Sequence, residues 1–180
     1  LGDVYKRQAE PSTVEMVQAG VLDMAKVSAN TLGQFDERYS IFSLPYLFRD
    51  REHYYNAMAN SEGIQELFES TRDKGYIAIG YYANGARNYY LKEDKAVTDP
   101  SVLKGKKIRA MVSSTSMEMI ELMGGSPVPM ASSETYTSLQ QGIVDGAENT
   151  ELALTVDKHE EIVKSYTYTC LLYTSDAADE

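Results

Sequence analysis

From Lys106 to Thr150 the chain repeats one pattern: a short apolar run, a helical stripe stopped by glycine, then another short apolar run. KKIRAMV (106–112) reads as a strand. A helix follows over Ser116–Met123, ended by Gly124-Gly125. SPVPM (126–130) is short and extended. Ser132–Gln141 reads as a helix capped by Ser132 or Ser133, with Tyr136, Leu139 and Ile143 on one stripe and Gly142 as its stop. GAENT (146–150) is again extended. Apolar runs too short for helices, separated by helices, specify strands joined by helical crossovers. The chain is therefore expected to be an α/β protein with a largely parallel sheet.

The preceding half carries the same alternation. Ser12 and Glu15 have capping-box spacing, and Val14, Val17 and Val21 form a helical stripe ending near Gly20. MAKVSA (24–29) reads as a buried strand, and Thr31–Phe35 as a helical turn. Helices are expected over Asp50–Met58 and Ser61–Asp73, with Gly75 stopping the second. YIAIGYYA (76–83) has strong strand character, NGAR (84–87) reads as a turn, and NYYLKE (88–93) as a further strand. Asp99-Pro100-Ser101 opens a helical turn, and Glu151–Val163 is helical. The pattern restarts after Gly85, which predicts two lobes with a boundary near Asn84.

Composition narrows the function classes. A chain that is 43% hydrophobic and 24% charged can build a sizeable core. No apolar run approaches the roughly 20 residues that cross a bilayer. The net charge of −10 disfavours nucleic acid and anionic membrane as partners. It also means that any anion site must be built locally from arginine or lysine. One cysteine and two histidines exclude a disulfide framework and most zinc sites. There is no GxGxxG and no GxxxxGK[ST], and no nucleophile stands with an acid/base partner. The expectation is a binding protein, not an enzyme, with no cofactor and no metal.

Arg109 stands out within this frame. It sits in an apolar strand between Ile108 and Ala110-Met111. A buried guanidinium needs a partner, which is a ligand carboxylate, an internal acid, or solvent at a sheet edge.

The ordered series QAGVLDMAKVSA (18–29), FSLPYLFRDREH (42–53), YYANGARNYY (81–90), LKGKKIRAM (103–111) and GGSPVPMASSETYTSLQQGIVDGAEN (124–149) resembles the TRAP-transporter periplasmic solute-binding proteins, the DctP-like family. The resemblance runs in register from about Pro11 to Thr169. It implies two α/β lobes of the periplasmic-binding-protein type, closing on a small organic acid that is passed to a membrane permease. A monomeric parent in the periplasm is implied as well. Residues 9–84 would be part of lobe I and 85–169 part of lobe II, the fold being incomplete at both ends. Leu1–Gln8 and Cys170–Glu180 resemble sequencing-adapter read-through and are expected to add no core.

The resemblance also implies site roles. Arg109 would grip the ligand carboxylate, with Asn149 donating its amide beside it. Arg87 would reach ligand hydroxyls or a second acid group. Glu148 would accept from ligand hydroxyls or pair with an arginine. Ser113 stands where many family members have asparagine, Ser132 where an aromatic or glycine is common, and Lys26 interrupts an apolar strand. Tyr82 is a candidate pocket wall with Tyr81 and Tyr136, and Lys26, Ser113 and Glu148 tilt the expected ligand from C4-dicarboxylates, 2-oxo acids and aromatic acids toward a sugar acid such as a hexuronate. Gly142, Asp145 and Gly146 read as scaffold, and His53 and His159 as helix-surface residues. A ligand-sensing receptor domain on the same fold is the main rival reading, and an α/β enzyme acting on a carboxylate substrate the weaker one.

Overall fold

The computed structural model describes residues 10–177; the side chains of residues 82, 84 and 172–177 lie outside the described set. The chain forms two compact units. Unit 1 comprises Leu1–Ser43, Leu47–Ala83 and Thr174–Glu180, and unit 2 comprises Leu44–Tyr46 and Asn84–Tyr173.

In unit 1, helix α1 (Glu10–Gln18) buries Val14. Its first residue does more than favour the helix start. The Glu10 carboxylate accepts the Ser28 N–H at 3.2 Å, the Ser28 hydroxyl at 2.7 Å and the Thr31 hydroxyl at 2.5 Å. That ties α1 to strand β1 (Val27–Ser28) and to the short helix α2 (Ala29–Leu32), which Ser28 caps. The strand expected over residues 24–29 thus shrinks to two residues, and Lys26 falls just outside it, exposed. Helix α3 (Arg51–Asn60) follows as expected, whereas α4 (Glu62–Glu69) ends at Ser70, short of the expected Asp73, and Gly75 at φ +86° instead ends a 3₁₀ turn over Arg72–Lys74. Asp50 caps α3 by accepting the His53 N–H at 2.7 Å. Tyr39, Phe42, Tyr54, Met58 and Phe68 are among the buried side chains of this unit.

Asp36 is a charged group in the same core. Only 4% exposed, it accepts from Arg38 Nε at 2.9 Å, Arg38 Nη2 at 2.5 Å and Lys74 Nζ at 2.9 Å. The Arg38 bonds hold its carboxyl well below the usual range, and Lys74 adds to this against the opposing effect of burial. A depressed carboxyl stabilises the folded state fully above its ordinary value of 3.8 and loses that contribution as pH falls below it. Arg38 and Lys74 are 54% and 39% exposed, so solvent screens both. Asp36→Asn is therefore expected to cost about 1–2 kcal/mol at pH 7 and clearly less at pH 2, where part of the contribution is already lost. Urea unfolding of both proteins at the two pH values checks this; an equal gap at both would assign the loss to packing.

Unit 2 is a sheet of order β6-β2-β5-β3-β4, where β2 is Tyr82–Leu91, β3 Lys107–Ala110, β4 Ser126–Pro129, β5 Gly146–Asn149 and β6 Ser165–Ala177. β3 runs parallel to both β4 and β5, through crossovers that contain α5 (Ser114–Leu122) and α6 (Ser132–Gln141). β2 is antiparallel to β5, so the sheet is mixed where a largely parallel one was expected. One face packs Tyr89, Leu91, Leu103, Ile108, Ala110 and Ile120 together, and the other Tyr90, Leu139, Val144 and Ala147. β5 and β2 approach so closely that a Cβ on Gly146 would collide with the Tyr90 carbonyl oxygen and lie 2.5 Å from Leu91 Cδ2. Asp145 fixes the entry to β5. Its N–H bonds to the Lys107 carbonyl at 2.7 Å, and its carboxylate accepts the Lys107 N–H at 2.8 Å.

Several expectations are corrected here. Tyr76–Tyr81 belongs to no strand, because no neighbouring strand takes up its backbone groups among the described residues. NGAR is no turn. It lies inside β2, where Gly85 at φ +103° keeps the strand continuous in a conformation closed to other residues. The helix expected over 151–163 divides into α7 (Glu151–Val156) and a 3₁₀ turn at His159–Glu161. Helix α6 is entered at Ala131, not at Ser132 or Ser133, and Glu134 accepts the Ala131 N–H at 3.1 Å. His159 is fully buried, not on a helix surface, and shares a 2.8 Å hydrogen bond with the Tyr90 hydroxyl. Burial lowers its pKa.

The largest correction concerns Cys170–Glu180. β6 extends through this stretch to Ala177, and its far end pairs antiparallel with β1. Leu171 is 1% exposed within the core cluster of Tyr89, Leu91 and Ile108. Its carbonyl accepts the Tyr46 N–H at 2.7 Å. An unpaired β2 edge beside an apolar face recruits any extended segment that can bond to it and fill the space. The expected lack of packing at Leu1–Gln8 and Leu172 lies outside the described residues and side chains.

A candidate carboxylate-binding site

Strand alternation sends Ile108 and Ala110 into the core and Arg109 to the opposite face. There Arg109 stands between Val128 of β4 and Ala147 of β5. The side chain is 4% exposed. Among the described residues its guanidinium donates to one acceptor, the Met130 carbonyl, from Nη2 at 2.9 Å and Nε at 3.3 Å. No carboxylate forms an ion pair with it among the described residues. Burial lowers its proton affinity, Arg87 lowers it further, and Glu148 opposes both. A guanidinium remains charged in a protein at any ordinary pH. The site therefore holds a desolvated cation whose second N–H edge has no anionic partner.

Asn149 ends β5 two residues beyond Ala147, the register partner of Arg109. Both side chains thus lie on one face, at the carboxyl ends of parallel strands, where open α/β sheets bind ligands. Asn149 Oδ1 accepts the Thr150 N–H at 2.9 Å. That bond uses the oxygen and orients the Nδ2 amide as a donor. The Asn149 carbonyl accepts the Tyr166 hydroxyl at 3.2 Å.

Arg87 and Glu148 lie on the other face, the one that carries Tyr89. They form a buried pair. Arg87 Nε donates to Glu148 Oε2, Nη2 donates to Oε1 at 3.1 Å, and Nη2 also bonds the Glu148 carbonyl at 2.8 Å. The guanidinium expected to face ligand is thus held by an acid of the protein. Ser113 caps α5 by accepting the Ser116 N–H at 3.4 Å. Tyr136 bonds Glu161 at 3.0 Å and lines no site described here. Lys26 and Tyr82 belong to unit 1, and the Tyr82 side chain lies outside the described set.

Two site neighbours were not singled out from the sequence, Asn88 and Tyr166. Asn88 is the cross-strand partner of Asn149. A buried asparagine in a run otherwise favourable to strand is a signal in itself, since asparagine is depleted in strands. Tyr166 lies in SYTYT, whose alternating β-branched and aromatic residues mark β6.

The electrostatics of unit 1 are different. It contains an apolar cavity of about 390 Å³ walled by Val14, Val17, Leu22, Val27 and Ile77. Among the described residues its one charged wall residue is Asp23, which repels a carboxylate. Among the described residues no group of three His, Cys, Asp or Glu could hold a metal, and no helix is long and apolar enough to cross a membrane.

The mixed α/β fold is that of the TRAP periplasmic solute-binding proteins. The chain belongs to the bacterial extracellular solute-binding protein family 7, DctP, whose profile matches residues 6–178. It is 46% identical over 161 residues to the protein YiiZ of Salmonella typhimurium, covering 88% of this chain and 48% of that protein. A solved TRAP periplasmic solute-binding protein from Anaerococcus prevotii, with bound D-glucuronate, superposes at a TM-score of 0.87. It shares 39% identity, over 91% of this chain and 53% of its own. Another, from Sulfitobacter with bound β-D-galacturonate, also gives 0.87, at 34% identity over 92% and 55%. The chain spans about half the length of the curated relatives it matches.

Proposed function

We propose that this chain is part of the solute-binding subunit of a TRAP transporter, and that it captures a small hydroxylated acid of the hexuronate class. The observation that carries the reading is the buried Arg109 guanidinium with the Met130 carbonyl as its partner. A ligand carboxylate is the natural complement. It accepts two parallel N–H bonds from Arg109 and a third from the Asn149 amide. Arg87 and Glu148 together are close to neutral, so they add polar contacts without adding net charge. Ser113, Lys26 and Tyr82 enter as further contacts on the sequence reading alone, the first two as departures from the family pattern and Tyr82 for its aromatic face. The bound uronates of the two similar structures support this ligand class. The reading includes a monomeric, periplasmic protein that performs no chemistry on its ligand and hands it to the membrane permease.

Thermal unfolding with added ligands tests it. A ligand bound only by the native state raises the apparent midpoint by mass action. D-glucuronate and D-galacturonate are expected to raise it in a concentration-dependent way, and D-glucose, which lacks the carboxylate, is not. Equal responses to glucuronate and glucose would sink the carboxylate clamp.

A further inference from the structure

We propose that Tyr166 is a positioning residue for the acid site, acting through Asn149; this rests on the carboxylate reading above. The Tyr166 hydroxyl accepts from Asn88 Nδ2 at 3.0 Å and donates to the Asn149 carbonyl at 3.2 Å. Asn88 is itself anchored at both ends of its amide. Nδ2 also bonds the Ala86 carbonyl at 2.9 Å, and Oδ1 accepts the Cys170 N–H at 2.8 Å. The Tyr166 ring is stacked on Tyr90, with centroids 6.1 Å apart and planes 13° from parallel. Tyr90 is fixed in turn by His159.

This bracket spans three strands and ends on the last carbonyl of β5. Beyond that carbonyl the chain turns into α7, and Thr150 caps the helix by accepting the Ala153 N–H at 3.3 Å. The peptide between Asn149 and Thr150 is thus held on both sides. Its carbonyl is bonded to Tyr166, and its N–H is bonded to Asn149 Oδ1. Removing the hydroxyl takes away one of the bonds that orient this peptide. The Asn149 side chain is tied to the same peptide, so its donor amide moves with it. Orientation of a ligand-contacting group by an outer hydrogen bond commonly decides affinity.

Tyr166→Phe keeps the ring and its stacking but removes the hydroxyl. In calorimetric titration of the 180-residue chain with D-glucuronate, it is expected to weaken binding roughly five- to tenfold. In an Asn149→Ala background the same change is expected to cost less than about twofold, because the group it positions is gone. A purely structural role would give equal losses in both backgrounds and would overturn the proposal. The Asn149 side-chain amide resonance of the unliganded protein gives a second readout, expected to shift in Tyr166→Phe. If the unsubstituted chain binds no glucuronate yet that resonance shifts, the ligand reading fails and the positioning stands. An unmoved resonance overturns the positioning.

Discussion

Arg109→Lys is expected to weaken D-glucuronate binding about 10- to 100-fold while leaving the fold intact. The charge is kept, so a purely long-range attraction would survive. The planar fork is lost, and an ammonium cannot make two parallel bonds to one carboxylate. Truncating one partner of a buried, hydrogen-bonded charge pair costs about 2–5 kcal/mol. Lysine retains part of the attraction, which places the loss near the lower end, at about 1.4 kcal/mol per decade of affinity. Stability should change little. Arg109 bonds the Met130 carbonyl, and a lysine ammonium can meet the same acceptor. Calorimetry beside a thermal melt of the same sample decides it. Undiminished affinity in a folded variant would remove Arg109 from the site.

Glu148→Gln is expected to act on the fold, with a loss of about 3–5 kcal/mol. Glu148 is fully buried and Arg87 is 6% exposed, so the substitution removes the charged acid that a buried guanidinium is bonded to. Glutamine preserves the shape and one acceptor but not the charge. Taking both charges away is a different matter. Arg87→Met with Glu148→Leu is expected to recover most of the loss, since apolar residues of similar volume often replace a buried pair without penalty. Urea unfolding of the two variants separates the cases. If the single variant stayed within about 1 kcal/mol of the unsubstituted chain, Arg87 would have found its compensation elsewhere and the pair would not organise unit 2.

What could be read in the amino-acid sequence was local. Helix α6 lies at Ser132–Gln141 as its stripe predicts, and Gly142 ends it at φ +73°. β3, β4 and β5 lie within KKIRAMV, SPVPM and GAENT. Such elements are set by side-chain periodicity and by glycine's access to positive φ, both properties of a few adjacent residues. Arg109 was visible for a similar reason, as a charge inside an apolar run.

Strand pairing needs a partner from elsewhere in the chain, and there the local signals did not suffice. Tyr76–Tyr81 has the composition of a strand but no strand neighbour among the described residues, whereas Ser165–Ala177 pairs along β2. His159 reads as a solvated residue between Lys158 and Glu160, yet the turn at Lys158, with φ +58°, brings it against Tyr90. Arg87 was recognised as a pocket arginine, but its tie to Glu148 depends on the register of β2 against β5. The sequence by itself determined local elements such as α6 with its glycine stop, and it singled out Arg109 as a cation on which an anion site could be built. Only the tertiary structure decided which charges are already paired. Pairing depends on which face and register a strand adopts, and a shift of one residue would exchange the two faces.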